Sequence, residues 1–194
     1  MKSEHIKKGL IWGLIVCLGI SLIVNYNYYQ KLQTEETYFN NYLADFYSEL
    51  NNVQNNLQYI LEEEPVDYEL QKYMMAVSSH LVIIEHLLES TPSYLSDIDH
   101  TQNEFKAINA LIRYGDSEEE VDAFLEDGVI DENEDGFLND VEEQLLQPLI
   151  NQLESNEGHL RNDISVDKFN QMTKELVHDP FMDDLYYQLL NDWF

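Results

Sequence analysis

Positive charge and cysteine are both scarce in this 194-residue chain. It has 10 Lys and Arg residues against 38 Asp and Glu residues, a formal net charge of −28, and one cysteine. So few cations exclude a nucleic-acid partner, because binding to phosphates depends on Lys and Arg. One cysteine cannot form a disulfide framework within the chain. Only 7 glycines and 4 prolines interrupt the sequence, and 44% of its residues are hydrophobic, which excludes wholesale disorder.

The basic residues are concentrated in front of a long uncharged stretch. Lys2, Lys7 and Lys8 precede the 22 residues Gly9–Gln30, which carry no formal charge. As a helix these residues measure about 33 Å, enough to cross a hydrocarbon core of about 30 Å. Cytoplasmic flanks of membrane spans are rich in Lys and Arg. The sequence therefore predicts a cytoplasmic tail over 1–8, a transmembrane anchor over 9–30 and an acidic extracytoplasmic domain over 31–194.

A cleaved secretory signal is the alternative explanation of this N-terminal pattern. Such a signal needs small residues of the A-x-A kind at its cleavage site. The sequence over 21–26 is SLIVNY, which provides none, so an uncleaved anchor in the cell membrane is favoured. Gly9 and Gly13 have the GxxxG spacing at which two membrane helices pack closely. A homodimer through the anchor is therefore a further alternative.

Apolar residues after the span repeat at heptad spacing in two consecutive segments, with steps that alternate between four and three residues. Pro65 lies between the segments. Two such seams predict two long helices that fold back on each other as an antiparallel hairpin. A parallel coiled-coil dimer built on the first seam is the alternative. The seams are Phe39, Leu43, Phe46, Leu50, Val53, Leu57 and Ile60, followed by Leu70, Met74, Val77, Leu81, Ile84 and Leu88.

The remaining sequence also reads as helices separated by Gly and Pro, without a convincing strand-like alternation. Helices are predicted from Pro92 to Gly115, after Ser117, over 141–153, over 166–177 and after Pro180. The fold class is therefore all-α: a single transmembrane helix followed by an extracytoplasmic helical bundle. The last helix is rich in apolar residues, and we expect it to dock on the bundle or on a protein partner.

One acidic segment, 131–142, has the oxygen spacing of a metal-binding loop. Counted from Asp131, oxygen-bearing side chains stand at positions 1, 3, 5, 9 and 12, with Gly136 at position 6 for a sharp turn. Ca²⁺ takes six to eight oxygen ligands at flexible geometry. The predicted ligands are Asp131, Asn133, Asp135, the carbonyl of Phe137, Asn139 through water, and Glu142 with both carboxylate oxygens.

This segment resembles the EF-hand calcium-binding loop. The preceding residues 126–130 contain Gly128, which is similar to the irregularly entered variant found in dockerin-type repeats of extracellular bacterial proteins. The resemblance implies a bound Ca²⁺ with a structural role. No second segment of this kind is present, so cooperative opening of paired loops is not expected. The structural alternative is an acidic turn that ends in a helix cap.

The sequence carries no G-x-S-x-G, P-loop or dinucleotide-binding motif. We therefore expect a membrane-anchored, calcium-binding scaffold or accessory protein of an envelope assembly, with a protein partner of unknown identity. Two alternatives belong to other classes. One is an envelope hydrolase whose acidic catalytic residues have no recognisable motif. The other is a regulator that responds to calcium.

Overall fold

The structure is a computed structural model that describes residues 2–89, 104–115, 123–124, 128–155 and 157–177. This part of the chain is helical and contains no strand, only an isolated bridge between Glu154 and Leu160. The chain divides into two compact units, Met1–Asn40 and Asn41–Phe194. The helices are α1 (Lys2–Glu63), α2 (Asp67–Glu89), α3 (Glu104–Tyr114), α4 (Glu132–Asp140), a π-helical segment (Val141–Leu146), α5 (Gln147–Leu153) and α6 (Val166–Val177).

The first unit consists of the N-terminal part of α1, in which the apolar stretch from Trp12 to Val24 is exposed. From Trp12 to Val24 the large hydrophobic side chains are 53–69% exposed. Among the described residues, α1 is the one helix long and apolar enough to cross a membrane, judged by length and composition. This confirms the predicted long apolar N-terminal helix. Tyr26, Tyr28 and Tyr29 follow the apolar stretch and are also exposed.

In the second unit, both predicted apolar seams are buried. Every seam residue from Leu43 to Ile60 on α1 and from Leu70 to Leu88 on α2 is at most 2% exposed. The heptad spacing therefore identified the buried face of each helix correctly, because residues three and four apart share a helix face. Burial of a Leu, Ile, Val or Phe side chain contributes about 1.5–3 kcal/mol, so these seams supply much of the apolar core.

Three side-chain contacts join α1 to α2 at successive levels. Tyr42 donates a hydrogen bond to the carbonyl of Leu87 at 3.1 Å, and Glu49 Oε2 lies 2.5 Å from His80 Nδ1. Farther along, the rings of Tyr59 and Tyr73 stack with centroids 4.0 Å apart. As the residue numbers on α1 increase from 42 to 59, those of their partners on α2 decrease from 87 to 73. The burial of Tyr42 raises the pKa of its hydroxyl.

The connection between α1 and α2 is held by backbone contacts with a distant loop. Glu64 and Asp67 have positive φ values of 45° and 50°, a region that costs non-glycine residues energy. The Asp67 N–H donates to the carbonyl of Gly128 at 2.8 Å. Gly128 itself has φ +79°, and a Cβ there would lie 3.1 Å from Asp67 Oδ1. The positive φ favours glycine at 128, and the Asp67 carboxylate would have to shift to admit a Cβ there.

Helices α3 and α6 contact this pair of helices. Ser78 of α2 donates a buried hydrogen bond to Asn109 Oδ1 of α3 at 2.7 Å. Helix α3 ends at Tyr114, directly before Gly115, the residue predicted to stop it. Helix α6 occupies Val166–Val177, the predicted range. Its Phe169 ring meets Phe46 of α1 edge to face at 5.3 Å. The predicted helices before Glu104, after Ser117 and after Pro180 lie wholly or mostly outside the described residues.

The helix over 132–153 contains a π-helical segment that the sequence analysis did not predict. Pro148 lies in the first turn of α5, and the N–H of Gln147 donates to the carbonyl of Glu142, five residues back. In a regular α-helix the proline ring would crowd the carbonyl of Gln144, and its missing N–H would leave that carbonyl unpaired. The wider π geometry before Pro148 accommodates the ring without ending the helix.

Candidate functional site

The segment predicted to bind calcium begins as a capped helix. Asp131 has an extended backbone and stands at the N-cap of α4. Its Oδ1 accepts from the backbone N–H groups of Asn133 and Glu134, each at 2.8 Å. In return, Glu134 Oε2 accepts from the N–H of Asp131 at 3.0 Å. This reciprocal capping box satisfies N–H groups that a helix start leaves without partners.

The middle of the segment is helical as well. Gly136, predicted to make a sharp turn, lies inside α4. The carbonyl of Phe137, predicted to face the metal, accepts from the N–H of Val141. The Phe137 side chain is 3% exposed and meets the ring of Phe124 edge to face at 5.4 Å. Leu138 is fully buried and fixes this part of α4 to the core.

The last predicted ligand, Glu142, faces α1. Its Oε1 accepts from Gln58 Nε2 at 2.7 Å and lies 3.4 Å from Gln54 Nε2. Glu142 lies eleven positions after Asp131, which corresponds to about 16 Å along a helix at 1.5 Å per residue. Two ligands of one Ca²⁺ lie within about 2.6 Å of the ion. Asp131 and Glu142 therefore cannot hold the same ion in this conformation.

The structure thus does not bring the six predicted ligands together. Asp131 and Asp135 border one surface pocket of about 430 Å³, together with Glu64 and Glu132. Asn139 is exposed on the helix farther along. Within the described ranges, no group of three or more His, Cys, Asp and Glu side chains could hold a metal ion. The segment is a capped helix here and not the wrapped loop that the spacing predicts, so these residues do not fit Ca²⁺ as they stand.

Asp131 offers a prediction that separates its capping role from a metal role. Asp131→Ala removes the acceptor for two backbone N–H groups and should cost about 1 kcal/mol of unfolding free energy, since N-cap substitutions by alanine typically do. Asp131→Asn keeps an N-cap acceptor and should lower the free energy of unfolding by at most about 0.3 kcal/mol. Urea unfolding followed by circular dichroism measures both. Equal destabilisation by the two variants would contradict the capping role.

A second surface pocket, of about 710 Å³, lies on the connection between α5 and α6 and is lined by residues 154, 155, 157 and 159–163. Tyr47 of α1 donates a 2.5 Å hydrogen bond to Glu154 Oε1 at its edge. Burial, followed by that hydrogen bond, raises the pKa of Tyr47. Arg161 donates two hydrogen bonds to the carboxylate of Asp163, at 2.8 and 2.6 Å. The pocket is polar and built on a single connection.

The Arg161–Asp163 pair predicts an acid-shifted titration. The hydrogen bond from Arg161 lowers the pKa of Asp163 from 3.8 to about 2. Because the pKa of Asp163 is lower in the folded state than in the unfolded state, its ionised form stabilises the fold at pH values above the unfolded-state pKa. This stabilisation is lost as the pH falls toward 2. Nuclear magnetic resonance titration of the Asp163 carboxyl should give a midpoint near 2, and Arg161→Gln should return it toward 3.8. An unchanged midpoint in that variant would rule out the assigned cause.

The polar contacts between helices were not predicted from the sequence. Glu49 and Leu50 are neighbours, as are His80 and Leu81, so Glu49 and His80 each precede a buried seam residue by one position. These flanking positions of a heptad are where charged pairs form between helices. Their pairing could therefore have been predicted from the heptads. The contact of Glu142 with Gln54 and Gln58 has no comparable signal, because it depends on where α4 meets α1.

Comparison of the chain with protein-family models, with curated proteins and with solved structures finds no match.

Proposed function

We propose that this chain is a single-pass membrane protein that carries an acidic helical domain outside the cytoplasm. The observation that carries this proposal is the exposed apolar surface of α1, where large hydrophobic side chains from Trp12 to Val24 are more than half exposed. Apolar surface of this extent is unfavourable in water. A bilayer would cover it, because the uncharged stretch Gly9–Gln30 has the length of a membrane span.

The proposed orientation rests on charge. Lys2, Lys7 and Lys8 lie on one side of the span, which is the side that stays cytoplasmic under the positive-inside rule. From residue 26 onward the sequence has 7 basic and 37 acidic residues, a net charge of −30. An acidic domain of this kind stays soluble and repels anionic surfaces. Residues 31–194 are accordingly proposed to lie outside the cytoplasm.

Within that domain we propose a hairpin of α1 and α2 as the central element. The Tyr42–Leu87, Glu49–His80 and Tyr59–Tyr73 contacts have the order of two antiparallel helices. The two buried seams would then face one another. In this arrangement α1 leaves no apolar seam for a parallel partner, which makes the coiled-coil dimer the less favoured alternative. The possible homodimer through Gly9 and Gly13 concerns the membrane anchor alone and does not depend on the hairpin.

We propose a scaffold or accessory role in an envelope assembly, in preference to catalysis. Glu134 is the one buried carboxylate among the described residues, and it is engaged in the capping box. Hydrolysis by paired acids needs two carboxyl groups on either side of a substrate, and no such pair is buried in the described part of the chain.

Calcium binding by 131–142 stays a prediction, and it has a structural condition. Ca²⁺ would have to replace the capping hydrogen bonds of Asp131 and the amide contacts of Glu142 before both could reach one ion. Binding of Ca²⁺ should therefore unwind part of α4. The affinity should be weak, near the 10⁻⁴–10⁻³ M typical of extracellular modules, because helix unwinding opposes it.

Titration calorimetry of the full chain in detergent, with circular dichroism recorded in parallel, tests the calcium prediction. Wild type should bind Ca²⁺ with a loss of helical signal, and Asp131→Asn combined with Glu142→Gln should not bind. Glu132→Gln is the matched control, because Glu132 is an exposed acid of the same segment and is not a predicted ligand. Absence of binding by wild type at millimolar Ca²⁺, or equal loss in the control, would refute calcium binding here.

Cysteine labelling tests the membrane placement. Cys17 is the only cysteine, so Cys17→Ser provides a background without thiols. A membrane-impermeant maleimide applied to intact cells should label Glu157→Cys, an exposed position of the domain, and should leave Ser3→Cys unlabelled until the cells are lysed. Labelling of Ser3→Cys alone would reverse the orientation. Recovery of the protein in the soluble fraction would refute the anchor.

A further inference from the structure

The surface pocket of about 430 Å³ that Asp131 borders lies where the connection between α1 and α2 meets the start of α4. This turn pocket has ten lining residues, of which six are apolar and four are acids. Val66 and Val129 belong to its lining and are 55% and 43% exposed, so apolar surface there is available to an occupant. The apolar lining consists of Ile60, Leu61, Pro65, Val66, Val129 and Ile130.

The walls of the turn pocket are held in place by hydrogen bonds. The Asp67 N–H donates to the carbonyl of Gly128 at 2.8 Å, which ties the α1–α2 connection to the loop before α4. The capping box of Asp131 and Glu134 fixes the start of α4 beside that loop. A partner therefore binds here without the entropy cost of ordering the walls first.

The acids that line the turn pocket have no cationic partner in the described part of the chain. Two other pockets each include a cation, Arg161 on the α5–α6 connection and Arg113 between α2 and α3. Within the described ranges, no ion pair involves an acid of the turn pocket. An occupant that brings positive charge would relieve the repulsion among these carboxylates. They belong to Glu64, Asp131, Glu132 and Asp135.

We propose that the turn pocket is a docking site for a protein partner whose bound segment presents aliphatic side chains flanked by Lys or Arg. The aliphatic side chains pack on Val66 and Val129, and the cations pair with Glu64, Glu132 and Asp135. This inference rests on the accessory role proposed above and names the partner chemistry for it. Cysteine labelling tests the membrane placement separately, so the two proposals can fail independently.

Other occupants of the turn pocket satisfy fewer of these observations. A metal ion would leave the apolar lining uncovered, and no group of three or more His, Cys, Asp and Glu among the described residues could hold one. An anionic membrane surface would be repelled by the carboxylates. A second copy of this chain has a net charge of −28 and would add to the repulsion. A basic and partly apolar protein segment complements both the charge and the apolar lining.

Fluorescence anisotropy of a labelled peptide, with the full chain in neutral detergent and EDTA, tests the charge. The peptide has two leucines between four lysines. Glu64→Gln, Glu132→Gln and Asp135→Asn together should raise its Kd about five- to tenfold, since each exposed ion pair is worth about twofold. A matched triple variant should change the Kd less than about twofold, and equal effects of the two would overturn the proposal. The matched variant removes exposed acids outside the pocket: Glu143→Gln, Glu157→Gln and Asp167→Asn.

Two valine variants test the apolar contact. Val66→Ser keeps the backbone carbonyl that accepts from the N–H groups of Glu69 and Leu70, and it should raise the Kd about three- to fivefold because a partly buried aliphatic contact is lost. Val82→Ser is the matched control at a valine that is 41% exposed on α2 outside the pocket, and it should leave the Kd unchanged. Circular dichroism confirms that each variant is folded.

A second peptide, with serines in place of the leucines, separates docking from general attraction to an acidic chain. It should bind wild type more weakly than the leucine peptide and should not respond to Val66→Ser. Equal binding of the two peptides, or equal effects of Val66→Ser and Val82→Ser, would show a response to the overall negative charge alone. Either result would overturn the proposed docking site.

Discussion

Phe46→Ala should lower the free energy of unfolding of the helical domain by about 3–5 kcal/mol, the range for removing a fully buried phenylalanine. Phe46 is 0% exposed and lies on α1 between the levels of the Tyr42 and Glu49 contacts with α2. Its ring also meets Phe169 of α6 edge to face. The substitution would therefore open a cavity where three helices meet, and few neighbours are free to fill it.

Urea unfolding monitored by circular dichroism measures this loss as a lower midpoint. Tyr68→Ala is the matched control, because Tyr68 is an aromatic residue of the same domain that is 78% exposed. That control should change stability by no more than about 0.5 kcal/mol. If Phe46→Ala and the control shift the midpoint equally, residue 46 does not lie in the core of the domain.

Two arginines in the apolar stretch should abolish membrane anchoring. Ile15 and Leu18 are 53% and 65% exposed on α1. Insertion scales assign about −0.3 to −0.6 kcal/mol to Ile or Leu at the centre of a span and about +2.5 to +3.5 to Arg. Ile15→Arg with Leu18→Arg therefore costs about 6–8 kcal/mol of insertion free energy, more than a single marginal span can tolerate.

Fractionation followed by alkaline carbonate extraction reads out this loss. Wild type should remain with the membranes, and the double variant should appear in the soluble or degraded fraction. Tyr29→Arg with Gln30→Arg adds the same charge at the interface end of the stretch and should leave the protein anchored, since arginine at that depth reaches the headgroups. Membrane retention of the Ile15→Arg and Leu18→Arg variant would contradict the anchor.

Those elements that depend on local periodicity could be predicted from the sequence. Heptad spacing identified the buried faces of α1 and α2, and Pro65 marked the boundary between them. The helix predicted over 166–177 is α6, and the Oγ of Ser165, just before it, accepts from the N–H of Lys168 at 3.3 Å. These signals are local, because a buried face, a helix break and a cap each depend on residues a few positions apart.

The segment 131–142 could not be predicted in the same way, since its residues satisfy two patterns at once. Asp131 is the first residue of a calcium-loop spacing and also an N-cap, with Glu134 three positions later to complete a capping box. The helix has local hydrogen bonds in its favour. It also has the burial of Phe137 against Phe124 and the Gln54 and Gln58 contacts of Glu142. Those last contacts depend on tertiary packing that sequence spacing does not contain.

The π-helical segment has a consequence for the order in which backbone amides exchange with solvent. Opening of a helix needs the least free energy where its hydrogen bonds are fewest and most irregular. Around Pro148 one donor is missing, and the carbonyls before it are bonded across a wider turn. Amides near residues 141–147 should therefore exchange earlier than those of Ser78–Ile84 in α2, whose seam is fully buried. On the timescale of hydrogen exchange, the continuous helix over 132–153 would behave as two shorter ones.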